Sequence, residues 1–229
     1  MRLGLLVICG LCLVLAACGE GDAPPASDAP RQSSSTATTA VTGSELGHPQ
    51  TVSAQANIFG AGHEHPPAPA GGGAGVLPPA WRLPDGSDRV VTIPAATGKV
   101  NPIVGSASSN GPGGDREGPT DVTSYGGISG IVDRRNGMFL TGVFLTDDEP
   151  AKQAPPRLDF TKRERFKSLS PRIGQTFFVG SGRGRSFRVP ARATRLFVGF
   201  ADGYLYVGAP GWYGNNGGEL TVTAESASR

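Results

Sequence analysis

From residue 50 onward, Gly, Pro, Asn or Asp interrupts nearly every apolar stretch before it could complete three turns of helix. That interruption limits the chain to short strands joined by turns. The sequence holds 35 Gly and 20 Pro, an abundance that in an unpatterned chain signals disorder. Placement argues otherwise here. The 10 Phe, 4 Tyr and 2 Trp all lie between Phe59 and Tyr213, so Gly and Pro punctuate a segment able to bury a core. β-rich runs cover 51–59, 89–93, 128–133, 138–146, 176–180, 186–189, 195–200 and 219–224. In the first, Val52, Ala54, Ala56 and Ile58 alternate onto one face. Asn136-Gly137 stands between two runs and predicts a tight hairpin. Helix is predicted only as one or two turns within 159–169, with Asp159 as N-cap. The Lys162, Arg163, Arg165 and Lys167 side chains of that stretch read as a solvated face. Many short strands with almost no helix predict an all-β chain, a jelly-roll β-sandwich, over residues 50–229.

The N-terminus is built differently. Arg2 precedes an unbroken apolar or small-residue run over 3–17. A bilayer-spanning helix needs about 20 such residues, so a run this short reads as a secretion signal over 1–17. It ends in Leu15-Ala16-Ala17-Cys18, which resembles the lipobox of bacterial lipoproteins. That resemblance implies cleavage before Cys18, a diacylglycerol thioether on its sulfur and an acyl chain (palmitate or similar) on its new amine. The cysteine inventory is consistent with this. Cys9, Cys12 and Cys18 all lie in the segment, so processing leaves Cys18 alone, with no disulfide, no Cys metal site and no Cys nucleophile beyond it. Each buried CH₂ contributes roughly 0.8 kcal/mol, so the lipid would hold the chain firmly to a membrane. Gly19 stands where an Asp would resemble an inner-membrane retention signal, so the expected location is the outer membrane of a two-membrane envelope, with the domain outside the cytoplasm. The Ser/Thr/Ala/Pro segment 18–49 has too few large apolar groups to offset ordering entropy and reads as a disordered tether of roughly 30 Å reach. A formal net charge of +2 offers no field to recruit nucleic acid.

Hydrolytic chemistry finds little support. His48 lies in the tether, and His63-Glu64-His65 sits on an extended loop without the helical spacing that holds zinc, so a solvated loop is expected. There is no G-x-S-x-G elbow, and 180–184 is a glycine-rich turn that opens no helix. Asp147-Asp148-Glu149 before Pro150 reads as an exposed turn. No enzymatic activity is expected.

One constellation has a positive case. Asp202 ends a β-rich run, and a loop closing with Pro210-Gly211-Trp212-Tyr213-Gly214-Asn215-Asn216-Gly217-Gly218 follows. A carboxylate, two carboxamides and the carbonyls of a tight turn are hard oxygen ligands that suit Ca²⁺. Two Asn in a Gly-rich loop are equally at home as turn formers, and spacing alone leaves both readings open. The segment 209–223 resembles the C-terminal loop and strand of the LecA-like galactose-binding bacterial lectins. The block Gly111-Pro-Gly-Gly-Asp-Arg-Glu-Gly-Pro119 is similar to their glycine-rich loop, in the same order along the chain. Stretches 56–62, 126–131, 140–145 and 173–180 look like segments of a broader group of secreted proteins built on that domain.

The resemblance implies a jelly-roll sandwich with one calcium at its end, where sugar hydroxyls complete the coordination. Carried over residue by residue, Asp202, Asn215 and Asn216 would ligate through side chains, and Trp212 and Val104 through backbone carbonyls. Pro119, Asp121, Asp202 and Asn215 would face the sugar. Two departures bear on which sugar that is: Gly118 stands where the lectins carry a galactose-touching histidine, and the 203–209 connection is longer than theirs. This longer connection brings Tyr204 and Tyr206 to the site, as a stacking platform, as a block, or as an extension of the strand from Phe200. The expectation is therefore a surface-tethered, calcium-dependent carbohydrate-binding module, for galactose-type or other glycans. A structural or adhesive lipoprotein that binds calcium and no sugar is the alternative. The family's lectins oligomerise, which makes a homo-oligomer part of what the resemblance implies.

Overall fold

The computed structural model describes residues 43–106, 109–115 and 118–227. The signal segment 1–17, Cys18 and most of the tether lie outside them, as do Arg116 and Glu117. Among the described residues the strands are β1 (Ser44–Glu45), β2 (Gln50–Ser53), β3 (Ala80–Arg82), β4 (Val90–Asn101), β5 (Thr120–Val122), β6 (Ile131–Asp133), β7 (Thr141–Leu145), β8 (Leu158–Asp159), β9 (Ser168–Leu169), β10 (Phe177–Phe178), β11 (Ser186–Arg188), β12 (Arg195–Gly199), β13 (Val207–Gly208) and β14 (Gly217–Ser226). One sheet runs β1-β3-β12-β7-β10, a second β2-β14-β4-β11-β9, and a smaller third β13-β5-β6-β8. Chain order alternates between the two larger sheets at every step, interrupted only by strands of the third. That crossing pattern is how a jelly roll closes its two sheets over one core, and the all-β sandwich expected from the strand pattern is what forms.

Strand β4 buries Val91 and Ile93 and, past Pro94, Ala96 and Val100, while β14 buries Leu220, Val222 and Ala224 with Thr221 exposed and Thr223 half-buried between them. This is the period of two that places one face on the core. Pro94 has no N–H to give the ladder, and the β4–β14 register shifts opposite it, between Thr223 and Glu225. Strands β7 and β12 are buried on both faces, which is why they read as unbroken apolar runs. The 3₁₀ turn Ile58–Gly60 packs against both. Phe177 of the first sheet and Phe187 of the second meet at 4.8 Å, and Phe144 stacks behind at 5.2 Å, so aromatic contact spans the sandwich.

Four local expectations are revised. Asn136-Gly137 does not join a hairpin: β6 pairs with β5 and β8, and β7 with β10 and β12. Asn136 is instead buried, donating from Nδ2 to Asp133 Oδ2 at 3.0 Å and accepting Thr120 Oγ1 at 2.7 Å on its carbonyl. Residues 159–169 form no helix, because Asp159 is spent in strand β8 and Phe160 and Phe166 turn inward to each other at 5.8 Å, leaving only turns at 161–165. Over 51–59 the four alternating residues are all fully buried, yet the strand stops at Ser53 and turns carry the rest. Residues 43–49, assigned by composition to the end of the tether, are packed: Ser44 and Glu45 pair with Trp81 and Arg82, and the His48 carbonyl accepts Trp81 Nε1 at 2.9 Å.

Candidate functional site

Beyond the end of β12 the chain reaches Asp202, which is 4% exposed. Its Oδ1 accepts the Gly203 N–H at 2.8 Å and its Oδ2 accepts Asn216 Nδ2 at 2.7 Å. The Tyr213 hydroxyl donates to the Phe200 carbonyl at 2.9 Å and accepts the Asp202 N–H at 3.0 Å, fixing the 3₁₀ turn Tyr213–Asn215 against the end of β12. Trp212, which starts that turn, is left-handed at φ 69°.

A glycine run seats the loop from the other side. The Gly71, Gly73 and Gly72 carbonyls accept the Trp212, Tyr213 and Gly214 N–H groups at 2.8, 3.2 and 3.0 Å. A Cβ on Gly72 would lie 2.6 Å from Trp212 Cδ2, so only glycine allows this approach. Residues 71–75 carry no side-chain pattern that would single them out in the sequence. The signal was present as three consecutive glycines, but the contacts are backbone to backbone and leave no side-chain pattern.

Asn215 Oδ1 and Asn216 Oδ1 are both buried without a hydrogen-bond partner. Asn216 gives its amide nitrogen to Asp202 and, at 3.3 Å, to the Ala54 carbonyl. The acceptor at Asp202 fixes the orientation of this amide, so its oxygen is the atom left over. Leaving such an acceptor buried and unmet costs about 1–3 kcal/mol, and two on consecutive residues, one of them bonded to a buried carboxylate, call for a physical reason. Burial pushes the Asp202 carboxyl up to about 7, against the opposing pull of the Asn216 and Gly203 hydrogen bonds. The Val104 N–H donates to the Asn215 carbonyl at 2.7 Å, which brings Val104 to the same loop. Asp202, Asn215, Asn216, Trp212 and Val104 thus gather at one end of the sandwich. Among the described residues no three His, Cys, Asp or Glu side chains converge. A cation here would meet one carboxylate, carboxamides and carbonyls, a donor set for hard ions such as calcium rather than for transition metals.

The 203–209 segment does not extend the strand. Tyr204–Tyr206 is a 3₁₀ turn with Leu205 and Tyr206 both left-handed (φ 52° and 61°), and Val207 then pairs with Asp121 in the third sheet. Two consecutive non-glycine residues in that region are strained by about 1–3 kcal/mol each. The Tyr206 ring lies over two glycines, so close that a Cβ would approach it to 3.1 Å from Gly118 and 2.9 Å from Gly137. Burial raises the Tyr206 hydroxyl pKa, and the Asp202 and Asp115 charges raise it further. Tyr204 is 58% exposed and its ring rests on Trp212, with centroids 5.0 Å apart. Pro119 is exposed beside Gly118. The Asp121 carboxylate is engaged elsewhere, with Arg157 at 2.7 Å and Arg134 at 3.6 Å.

The other polar clusters serve local structure. His63 Nε2 meets the Gly126 carbonyl at 2.8 Å, while Glu64 and His65 stay exposed. Asp147 lies 3.5 Å from buried Arg195, whose pKa burial lowers and Asp147 partly restores.

No protein-family model matches the chain, and no curated protein matches it. Among solved structures, a PllA-like lectin, the N-terminal domain of EclA, is similar at a TM-score of 0.35 and 19% identity, over 78% of this chain and 95% of that one. A likeness of that size speaks to neither ligand nor site.

Proposed function

We propose that this chain is a calcium-dependent carbohydrate-binding module, lipid-anchored through Cys18 at the cell envelope and without catalytic activity of its own. The observation that carries the reading is the pair of partnerless carboxamide oxygens on consecutive residues, Asn215 and Asn216, of which Asn216 is bonded to the buried Asp202 carboxylate. Asp202, Asn215 and Asn216 would hold calcium through side chains, and Trp212 and Val104 through carbonyls. A bound calcium would supply a hard cation to which sugar hydroxyl oxygens could add as further ligands.

The chain's own groups then define where a sugar can lie. Tyr206 walls the side where Gly118 carries no side chain. Tyr204 and Trp212 present ring faces at the rim, suited to the apolar face of a pyranose. Pro119 borders the same rim. Asp121 is held by two arginines and shapes the strand beside the loop rather than offering free acceptors.

A glycan array probed in about 1 mM Ca²⁺ and again in EDTA tests the reading. Calcium-dependent signal on at least one glycan class is expected, and it should weaken about tenfold in Tyr204→Ala, by the loss of one stacking face. Silence at high glycan density would favour the structural or adhesive alternative, in which calcium only braces the loop; the Tyr206 ring filling the space beside Gly118 is the feature that favours it. Metabolic labelling with palmitate, lost in Cys18→Ala, tests the anchor, and sedimentation of the intact chain tests homo-oligomerisation.

A further inference from the structure

Strands β6 and β8 run parallel, pairing Ile131 with Leu158 and Val132 with Asp159, so the turns that follow them leave from the same end. One turn carries Arg134 and Arg135, the other Lys162, Arg163, Glu164 and Arg165. They are fastened together. The Arg134 N–H donates to Thr161 Oγ1 at 3.0 Å, and the Phe160 N–H donates to the Val132 carbonyl at 2.8 Å. Asp133 is wholly buried, accepting the Arg135 N–H on Oδ1 and Asn136 Nδ2 on Oδ2, both at 3.0 Å. Asp159 Oδ1 accepts the Thr161 N–H at 2.8 Å, and the Thr161 side chain first and this N–H second hold its carboxyl below the usual value. The far end of the second turn is pinned by Arg185, whose Nη2 reaches the Glu164 carbonyl at 2.8 Å while its guanidinium stacks on Phe166 and Phe178.

Between the turns lie two adjoining cavities, about 180 and 290 Å³, that share Arg135 and Glu164 and are completed by Arg134, Asn136, Lys162 and Arg165. Four cationic side chains face this cleft against one carboxylate, with Arg134 also within 3.6 Å of Asp121. The chain as a whole carries a net charge of only +2, so the cleft is a local concentration and not general basicity. Arg134, Arg135, Lys162 and Arg165 are exposed, and packing the core does not require them. Their mutual repulsion is a cost that a rigid scaffold sustains, and arginine forks suit sulfate, phosphate and carboxylate oxygens.

Chain neighbours and packing link one wall of the cleft to the candidate calcium loop. Gly137 follows Asn136 and lies under the Tyr206 ring, and the Tyr206 N–H donates to the Gly203 carbonyl at 2.9 Å, one residue from Asp202. We propose that this cleft binds the acidic substituent of a glycan, so that the ligand of this chain is an anionic oligosaccharide bearing sulfate, phosphate or carboxylate. The sugar part of that ligand rests on the carbohydrate-binding reading above; the anion site stands on the cleft alone.

The test titrates the full-length chain in mild detergent with a sulfated galactan oligosaccharide and with the same oligosaccharide after desulfation, each in Ca²⁺ and in EDTA. In low salt the sulfated form should bind about tenfold tighter, and the gap should close in the R135Q/R165Q double variant and at about 0.5 M NaCl. Both residues are exposed, so the variant should keep the wild-type melting temperature, and its affinity for the desulfated form should be unchanged. Equal affinity for the two forms, a gap that survives in the double variant, or binding of neither form would overturn the proposal. If only the sulfated form binds, with the same arginine dependence in EDTA, the anion site stands and the calcium-dependent reading falls. Binding to phosphatidylglycerol vesicles with no preference for the sulfated oligosaccharide would assign the cleft to a membrane surface and overturn it as well.

Discussion

Asp202 is the residue whose environment is most informative. Its carboxyl, pushed up to about 7 by burial, titrates near 4 in an unfolded chain. Between those values the folded chain keeps a proton that the unfolded chain has released, so stability is fully present below about pH 4 and declines as pH rises toward 7. The loss is on the order of 4 kcal/mol. A melting series in EDTA should therefore fall between about pH 4 and 7, and calcium should flatten the decline by stabilising the ionised form. A flat series in EDTA would mean that water or a flexible loop already solvates the carboxylate. Gly72 supplies a second test at this scale. At φ 69° with Trp212 2.6 Å from any added Cβ, Gly72→Ala should cost about 1–3 kcal/mol in a denaturant melt and weaken the calcium response. Asp202, Asn215 and Asn216 were legible in the sequence because oxygen-bearing side chains in a Gly-rich loop are chemically distinctive. Gly72 was not, because its role is to have no side chain under Trp212.

At the scale of elements, one hydroxyl ties the loop over 210–217 to the end of β12. Tyr213→Phe would leave the Asp202 N–H unmet in a buried site and take from the Phe200 carbonyl one of its two donors, the Ile58 N–H remaining. We expect a loss of about 1–3 kcal/mol in the melt, with calcium affinity reduced as well because Asp202 hangs from that bond. Unchanged calcium affinity would show that the loop holds its shape without the hydroxyl. Strand β14 was readable because it is long enough to show alternation, and β4 only over its first residues up to Ile93, because past Pro94 its buried positions no longer alternate. Strands β8, β9 and β13 have two residues each and exist through their partners, so no local pattern could announce them. The same reason explains the Asn136-Gly137 turn. Its residues are typical of a hairpin, but Asp133 captures the Asn136 amide and β7 finds its partners elsewhere.

For the whole molecule, the jelly-roll sandwich was legible from many short strands and the near absence of helix, whereas the third sheet was not. That sheet brings β5, the 203–209 segment and the two basic turns to one region, so the proposed calcium loop shares its end of the third sheet with an aromatic rim and with the strands that carry the cationic cleft. Core integrity rests on aromatic contact between the larger sheets, so Phe177→Ala should cost about 3–5 kcal/mol and lower the melting temperature whether or not calcium is present. The measurement that tests the central claim most directly is the thermal melt of the chain in about 1 mM Ca²⁺ against EDTA, with Asp202→Ala beside it. With a Kd of about 10 µM, mass action adds about 2.7 kcal/mol, which for a domain of this size raises the midpoint by about 5–10 °C. The account predicts that shift in the wild type and none in Asp202→Ala. Equal midpoints in calcium and EDTA for the wild type would contradict it, and would leave Asn215 and Asn216 as turn residues.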